Sequence, residues 1–296
     1  MNDYLKGLLI TISGVLIITP DSLLIRLLNV DSWATMFWRN FLSGIVVMLA
    51  LLLYYRGDFL RQLSSVGRSG MLMALVWAAG TFCFIYSVKT TLVANTLFIV
   101  SISPIFAALI AWLVLKEPVS KRTWLTIIST LIGIGIIAYG SLTPDGQGNL
   151  LGDLAALGTA LAVAISFSIA RRHKHISMIP AMGVSNLFAG LIALPFSASL
   201  VLTTETVIPV AILGLFVAPV GAALLIIGPR YLPAADVSLL ILLEAVIAPL
   251  WVWWMLNEFP GHYTLVGGAL VLVALVVSNG VSIWRSRRRK VMPVMT

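Results

Sequence analysis

Residues 80–117 read GTFCFIYSVKTTLVANTLFIVSISPIFAALIAWLVLKE, and residues 221–258 read GAALLIIGPRYLPAADVSLLILLEAVIAPLWVWWMLNE. Laid over one another at a shift of 141 positions, without a gap, they share Gly80/Gly221, Ile85/Ile226, Ala94/Ala235, Ala107/Ala248, Leu109/Leu250, Trp112/Trp253, Leu115/Leu256 and Glu117/Glu258. Lys89/Arg230 and Asn95/Asp236 are near matches. Each copy holds the end of one apolar run, a short polar break, and a second run ending in glutamate. About 20 apolar residues cross the ~30 Å hydrocarbon core as a helix. A membrane barrel would alternate apolar and polar residues, and these runs are continuous, so the stretch reads as helical spans arranged as an internal repeat.

The whole chain extends this pattern. Of its 296 residues 60% are apolar and 10% charged, against roughly 45–50% and about 25% in soluble domains. Such a chain has too little polar surface to face water. Apolar runs place spans near 6–28, 33–55, 69–88, 92–115, 122–140, 151–170, 178–200, 207–228, 232–256 and 263–284. Turn and helix-end residues separate them at Asn29, Arg56-Gly57-Asp58, Pro118, Pro144-Asp145-Gly146, Pro233 and Pro260-Gly261. The first run is longer than a signal-peptide core and lacks a small-residue cleavage site, so it reads as a retained span. Cys83, the single cysteine, forms no intrachain disulfide and reads as a small core residue.

The net charge of +8 does not point to nucleic acid, because the cations lie in short clusters between spans and form no basic face. With ten spans, Lys6, Arg56, Arg61, Arg68, Lys116, Lys121, Arg122, Arg171, Arg172, Lys174, Arg230, Arg285, Arg287, Arg288, Arg289 and Lys290 share one side, 16 in all, against Lys89 on the other. Cytoplasmic loops are enriched in Lys and Arg, so both termini are expected in the cytoplasm. The fold class expected is an all-α polytopic membrane protein, ten transmembrane helices forming two inverted five-helix repeats. The repeats cover 1–140 and 141–296, the second with a short basic tail. Five spans separate equivalent elements, and an odd number inverts the second copy. Inverted repeats around a midplane site are the architecture of alternating-access carriers.

Phe37-Trp38-Arg39-Asn40 at the second span, the helix ends Leu115-Lys116-Glu117-Pro118 and Leu256-Asn257-Glu258-Phe259-Pro260, and Gly133-Ile134-Gly135 in the fifth span together resemble the EamA-like transporters of the drug/metabolite transporter superfamily. The resemblance covers almost the whole chain. It implies a secondary transporter with two EamA domains in the bacterial cytoplasmic membrane, commonly an exporter of small metabolites, with a cavity lined mainly by spans 1, 3, 4, 6, 8 and 9. Its partners would be a small-molecule substrate, membrane lipids and protons, and a homodimer stays open. The second half departs from the family pattern at Glu244-Ala245-Val246-Ile247-Ala248-Pro249, where a proline is expected directly after the glutamate.

A charge at the bilayer centre costs at least ~2.5–3.5 kcal/mol on insertion scales, which makes intramembrane ionisable residues functional candidates. Glu244 lies about 18 Å into the ninth span at ~1.5 Å per residue, near the midplane, where it could carry a coupling proton or meet a cationic substrate. Asp236, Leu240, Glu244 and Trp251 share a helical face. In the first repeat Asn95 and Ser103 replace the two acids. Asp21 and Arg39 sit at similar depth and are expected to pair, as a structural clamp or an outer gate. Phe82 and Tyr86, four apart, and Asn95 and Phe98, three apart, are expected to line the cavity, where ring faces favour a cationic amine by ~0.5–2 kcal/mol. Arg26 and Lys89 read as interfacial cations, Arg26 near enough to the surface to snorkel.

His173 and His175 lack acidic or cysteine companions, so neither a metal nor another cofactor is expected. P-loop, HExxH and cysteine-cluster motifs are missing, and with them support for ATP-driven transport or for an enzyme. The leading reading is a secondary exporter of amino acids or amines. The alternatives are an uncoupled uniporter or lipid scramblase on the same scaffold, or a membrane enzyme acting on a lipid-linked substrate through Asp21, Asp236 and Glu244.

Overall fold

The computed structural model describes residues 3–115, 121–143, 148–172, 177–228, 231–232 and 234–291, and these form helices with no strand among them. In chain order the helices are α1 (Asp3–Ile18), α2 (Asp21–Leu27), α3 (Ser32–Tyr55), α4 (Phe59–Ser65), α5 (Gly67–Thr90), α6 (Val93–Val100), α7 (Ser103–Leu115), α8 (Lys121–Leu142), α9 (Leu150–Arg172), α10 (Ile179–Ala193), α11 (Thr204–Ile212), α12 (Ala218–Ile227), α13 (Ala234–Leu256) and α14 (His262–Val291). Among the described residues seven helical segments are long and apolar enough to cross a membrane, and Leu150–Ser166, Leu240–Leu256 and His262–Ser278 are shorter apolar helices. The protein is an integral membrane protein.

Several runs read as single spans are interrupted. The first breaks between α1 and α2 at Thr19-Pro20, where Pro20 has no N–H to continue the ladder and the Thr19 hydroxyl donates to Leu16 O at 2.8 Å. The fourth breaks at Ser101-Ile102, just before Pro104, and Ser101 Oγ donates to Phe98 O at 2.6 Å. The run expected over 178–200 ends as an α-helix at Ala193 and closes with a 3₁₀ turn over Leu194–Phe196. Between α11 and α12 the turn Leu213–Val217 widens into a π-helix ahead of Pro219. The Arg56-Gly57-Asp58 break is a 3₁₀ turn leading into α4. Two ends follow local chemistry closely: Asp31 caps α3 by accepting from Trp33 N at 2.8 Å and Ala34 N at 3.0 Å, and Asn257, with φ of 53°, ends α13 in the left-handed conformation that asparagine tolerates.

Packing runs between the two halves of the chain: α3 lies along α10, α5 along α9, α8 along α14, α1 along α12, and α6 along α13. Small residues permit the approach, as expected where lipid supplies no hydrophobic drive and close packing must hold helices together. A Cβ on Gly80 would stand 2.6 Å from Ala162 Cβ, one on Gly190 2.9 Å from Phe41 N, and one on Gly267 would collide with Gly133 O. The main buried cluster threads through all these layers, from Ile25 and Phe37 through Ile85, Ile99 and Ile137 to Val252 and Val271. Outward positions such as Leu53, Leu125 and Trp254 stay exposed, which suits a lipid-facing surface.

Candidate functional site

The breaks around Pro20 set α2 apart from α1 and bring its first residue into the protein interior. Asp21 is 2% exposed. Arg39, on α3, reaches it with both arms of the guanidinium: Nε donates to Oδ1 at 3.0 Å and Nη2 to Oδ2 at 3.0 Å. Nη1 donates to Asn40 Oδ1 at 3.3 Å, and Asn40 Nδ2 donates to Met36 O at 3.1 Å. This two-point geometry is the strong form of an arginine–carboxylate contact. Next to the pair in sequence, Ser22 Oγ and Trp38 Nε1 are buried without a hydrogen-bond partner among the described residues.

Glu244 lies on α13, which packs against both α1 and α2. Glu244 is half-buried and makes no hydrogen bond among the described residues, in contrast to the closed Asp21–Arg39 contact. An acceptor with free lone pairs at this depth can take a proton or an ammonium group. The side chain of Asp236 lies outside the described residues. Trp251, 38% exposed, packs against Trp254 with ring centroids 5.9 Å apart.

Phe82 and Tyr86 belong to a row of rings. Phe196, Trp33, Phe82 and Tyr86 follow one another at centroid distances of 4.8, 4.4 and 6.1 Å. Trp33 and Phe196 come from the start of α3 and the 3₁₀ turn after α10, so with α5 the row joins three elements. Neither was legible as its member, since only the Phe82/Tyr86 spacing lies within one helix.

Asn95 and Phe98 share α6 but meet different surroundings. Asn95, 1% exposed, is the centre of a closed polar hub. Its Nδ2 donates to Ser141 Oγ at 3.1 Å and Asp153 Oδ1 at 3.2 Å, and its Oδ1 accepts from Thr264 Oγ1 at 2.6 Å. Asp153 accepts further from Thr91 Oγ1 at 2.8 Å and Ser141 Oγ at 2.6 Å. The hub ties α6, α8, α9 and α14 together and leaves Asn95 engaged on both sides of its amide. Phe98, 7% exposed, packs against α14, and a Cβ on Gly268 would stand 2.2 Å from its ring.

Arg26 is held by partners at two helix ends. Its Nε donates to Glu258 Oε2 at 2.9 Å and its Nη1 to Val88 O at 2.7 Å, while Glu258 Oε1 accepts from Val93 N at 2.9 Å. Glu258, the helix-end glutamate of the second repeat copy, thus caps the start of α6 in the first half. Lys89 donates to Leu28 O at 2.8 Å and to Val30 O, which fastens the end of α5 to the end of α2. The matching first-copy motif at Lys116, Glu117 and Pro118 lies outside the described residues, as do His173 and His175. Among the described residues no three His, Cys, Asp or Glu side chains gather as a metal group.

The bundle is helical and apolar and holds in it a paired charge and a carboxyl that makes no hydrogen bond among the described residues. The chain belongs to the EamA-like transporter family, which matches residues 5–139 and again 150–280, consistent with the drug/metabolite transporter superfamily. No curated protein sequence matches it. A crystal structure of a protein 16% identical in sequence superposes with a TM-score of 0.66 over 92% of this chain and 97% of the other, a likeness of fold.

Proposed function

We propose that this transporter is a secondary carrier that exports small cationic or zwitterionic metabolites, such as amines or amino acids, by alternating access, with Glu244 as the group that takes a proton or the substrate ammonium. The observation that carries the reading is the half-buried Glu244 carboxyl, which makes no hydrogen bond among the described residues, on a helix packed against α2, whose first residue is Asp21. The ring row through Phe82 and Tyr86 supports a cationic substrate, since ring faces attract ammonium groups.

Ten spans in two inverted repeats, 1–140 and 141–296, complete the proposal. Contacts that repeat at fixed shifts support it. A Cβ on Gly80 meets Ala162, and one on Gly221 meets Ile18; Gly221 stands 141 positions after Gly80, and Ala162 stands 144 after Ile18. Likewise Gly14 meets Leu224 and Gly158 meets Cys83, again with shifts of 144 and 141. Gly152 meets Thr90 and Thr91, and Gly7 meets Tyr231 and Leu232, the latter two 141 positions after the former. One interface between the halves is thus built twice, as a two-fold pseudo-axis in the membrane plane requires.

The test is flux in proteoliposomes with labelled amino acids, amines, nucleosides and sugars, with and without a pH gradient, for the wild type and Glu244→Gln. Gradient-driven accumulation of an amine or amino acid, lost in Glu244→Gln while counterflow exchange persists, is the expected result. Saturable flux indifferent to the gradient and to the substitution would instead establish an uncoupled uniporter. Absence of solute flux with lipid movement between leaflets would establish a scramblase.

A further inference from the structure

We propose that the acyl chain of a membrane phospholipid occupies a lateral crevice between α13 and α14, behind the face of α13 that carries Glu244. The crevice is a cavity of about 200 Å³. On one wall stand Val246, Pro249, Leu250 and Trp253, spaced as a single helical stripe, and on the other Leu265 and Leu272, seven apart. Phe98 contributes to the lining, and no charged side chain does.

Its walls extend over about the depth of one leaflet. From Val246 to the end of α13 at Leu256 the helix rises about 15 Å, and from the start of α14 at His262 to Leu272 the rise is the same. Half of a ~30 Å hydrocarbon core is about 15 Å. The walls of the crevice therefore extend inward from the helix ends near Phe259 and Pro260 over about the depth of one leaflet, and the recess between them takes a segment of one acyl chain. Its rim is continuous with the lipid-facing surface, since Val246, Leu250 and Leu265 are 45%, 50% and 41% exposed.

Other occupants fit poorly. Water does not fill an apolar recess that offers it no partners. A helix of a second copy is 10–12 Å across with its side chains, too wide to enter. At about 30 Å³ per group, the volume share of a water molecule, the recess seats on the order of six methylenes. A polar metabolite would find nothing there to bond. The position has a mechanical consequence. At 100° per residue, Trp253, Val246 and Leu250 point about 180–240° away from Glu244 around α13. The chain backs the helix against the interior and supports it at Pro249, where its ladder lacks one hydrogen bond.

The experiment reconstitutes the full-length protein in phosphatidylcholine and phosphatidylglycerol vesicles containing a phospholipid with a diazirine at the end of its acyl chain. After photolysis, adducts are mapped by mass spectrometry. Adducts at Val246 and Leu272 are expected several-fold above those at Ile128 and Ile132, exposed positions on α8. Val246→Trp and Leu272→Trp, each filling the recess from one wall, are expected to cut labelling of the opposite wall several-fold and to leave α8 unchanged. Equal labelling of crevice and α8 in the wild type would overturn the proposal, with no need for either variant to fold. Labelling indifferent to both fillings would also overturn it, as would protection of the crevice within a cross-linked pair of copies.

Discussion

Asp21 and Arg39 show how a charge is kept inside this bundle. Side-chain exposures of 3% and 13% leave both groups with little water, and the two-point contact supplies the hydrogen bonds that water would. Removing one partner of such a pair typically costs about 3–5 kcal/mol, because the other charge is stranded, whereas replacing both by apolar groups is often neutral. Asp21→Ala is therefore expected to lower unfolding stability in detergent by about 3 kcal/mol, and Asp21→Leu with Arg39→Met by much less, as read by chemical denaturation. A double variant as unstable as the single one would show that the two do not act as a unit. Both residues were legible in the sequence because each is a charge well inside an apolar run at matching depth, and Glu244 was legible for the same reason. Asp153 was not. It stands three residues into α9, where a carboxylate ordinarily meets water at a helix end, and only the fold folds Thr91, Asn95 and Ser141 over it. The partner of Arg26 was equally hidden, since Glu258 lies 232 positions along the chain.

Among helices, the contacts that matter are those where backbones nearly touch, and here periodicity is a weak guide. Gly133 and Gly135 look alike in the run Gly133-Ile134-Gly135, yet they differ in surroundings. A Cβ on Gly133 would lie 2.7 Å from Val271 and 2.8 Å from Gly267 O, whereas one on Gly135 meets nothing within 4 Å. The two residues point to opposite sides of α8, and which side carries α14 is a tertiary fact. Gly267→Val should push α8 and α14 apart and destabilise the protein by about 1–3 kcal/mol or more, in the range of overpacking. Gly135→Ala should be neutral or slightly stabilising, since alanine costs a helix less than glycine. Thermal unfolding of the two variants in one detergent makes the comparison, and equal losses would contradict the packing described. The prolines were legible as irregularities but not in kind. Pro20 separates two helices and Pro104 follows a break, whereas Pro249 sits inside a continuous α13. Asn257 and Glu258 mark the end of α13 as the sequence suggests, but the capping of Val93 on the other half of the chain requires the assembled bundle.

At the scale of the whole molecule, the charge asymmetry and the contacts near helix ends bear on the same question of sidedness. Loops that alternate across ten spans should touch only loops on their own side. Asp31 Oδ2 accepts from Ala198 N at 3.3 Å, Lys89 reaches Leu28 O, Asn149 N reaches Thr91 Oγ1 at 3.0 Å, and Glu258 reaches Val93 N; all join breaks that follow odd-numbered spans. On the opposite side Lys6 lies over the Tyr231 ring at 4.9 Å, joining the start of the chain to the break after the eighth span. Inserting or removing one span anywhere would place some of these partners across the membrane from one another. The basic residues sort with the second group, so that side is expected to be cytoplasmic. Single cysteines at Ser64 and Ser199, in a Cys83→Ser background, test this directly with a membrane-impermeant maleimide. Ser199→Cys should label in intact cells and Ser64→Cys only after permeabilisation, because the two lie in breaks after the seventh and second spans. Labelling of both from outside would remove the ten-span arrangement and with it the inversion of the repeats. The reverse pattern would keep the arrangement but turn the molecule over, against sixteen cations that each favour the cytoplasmic side.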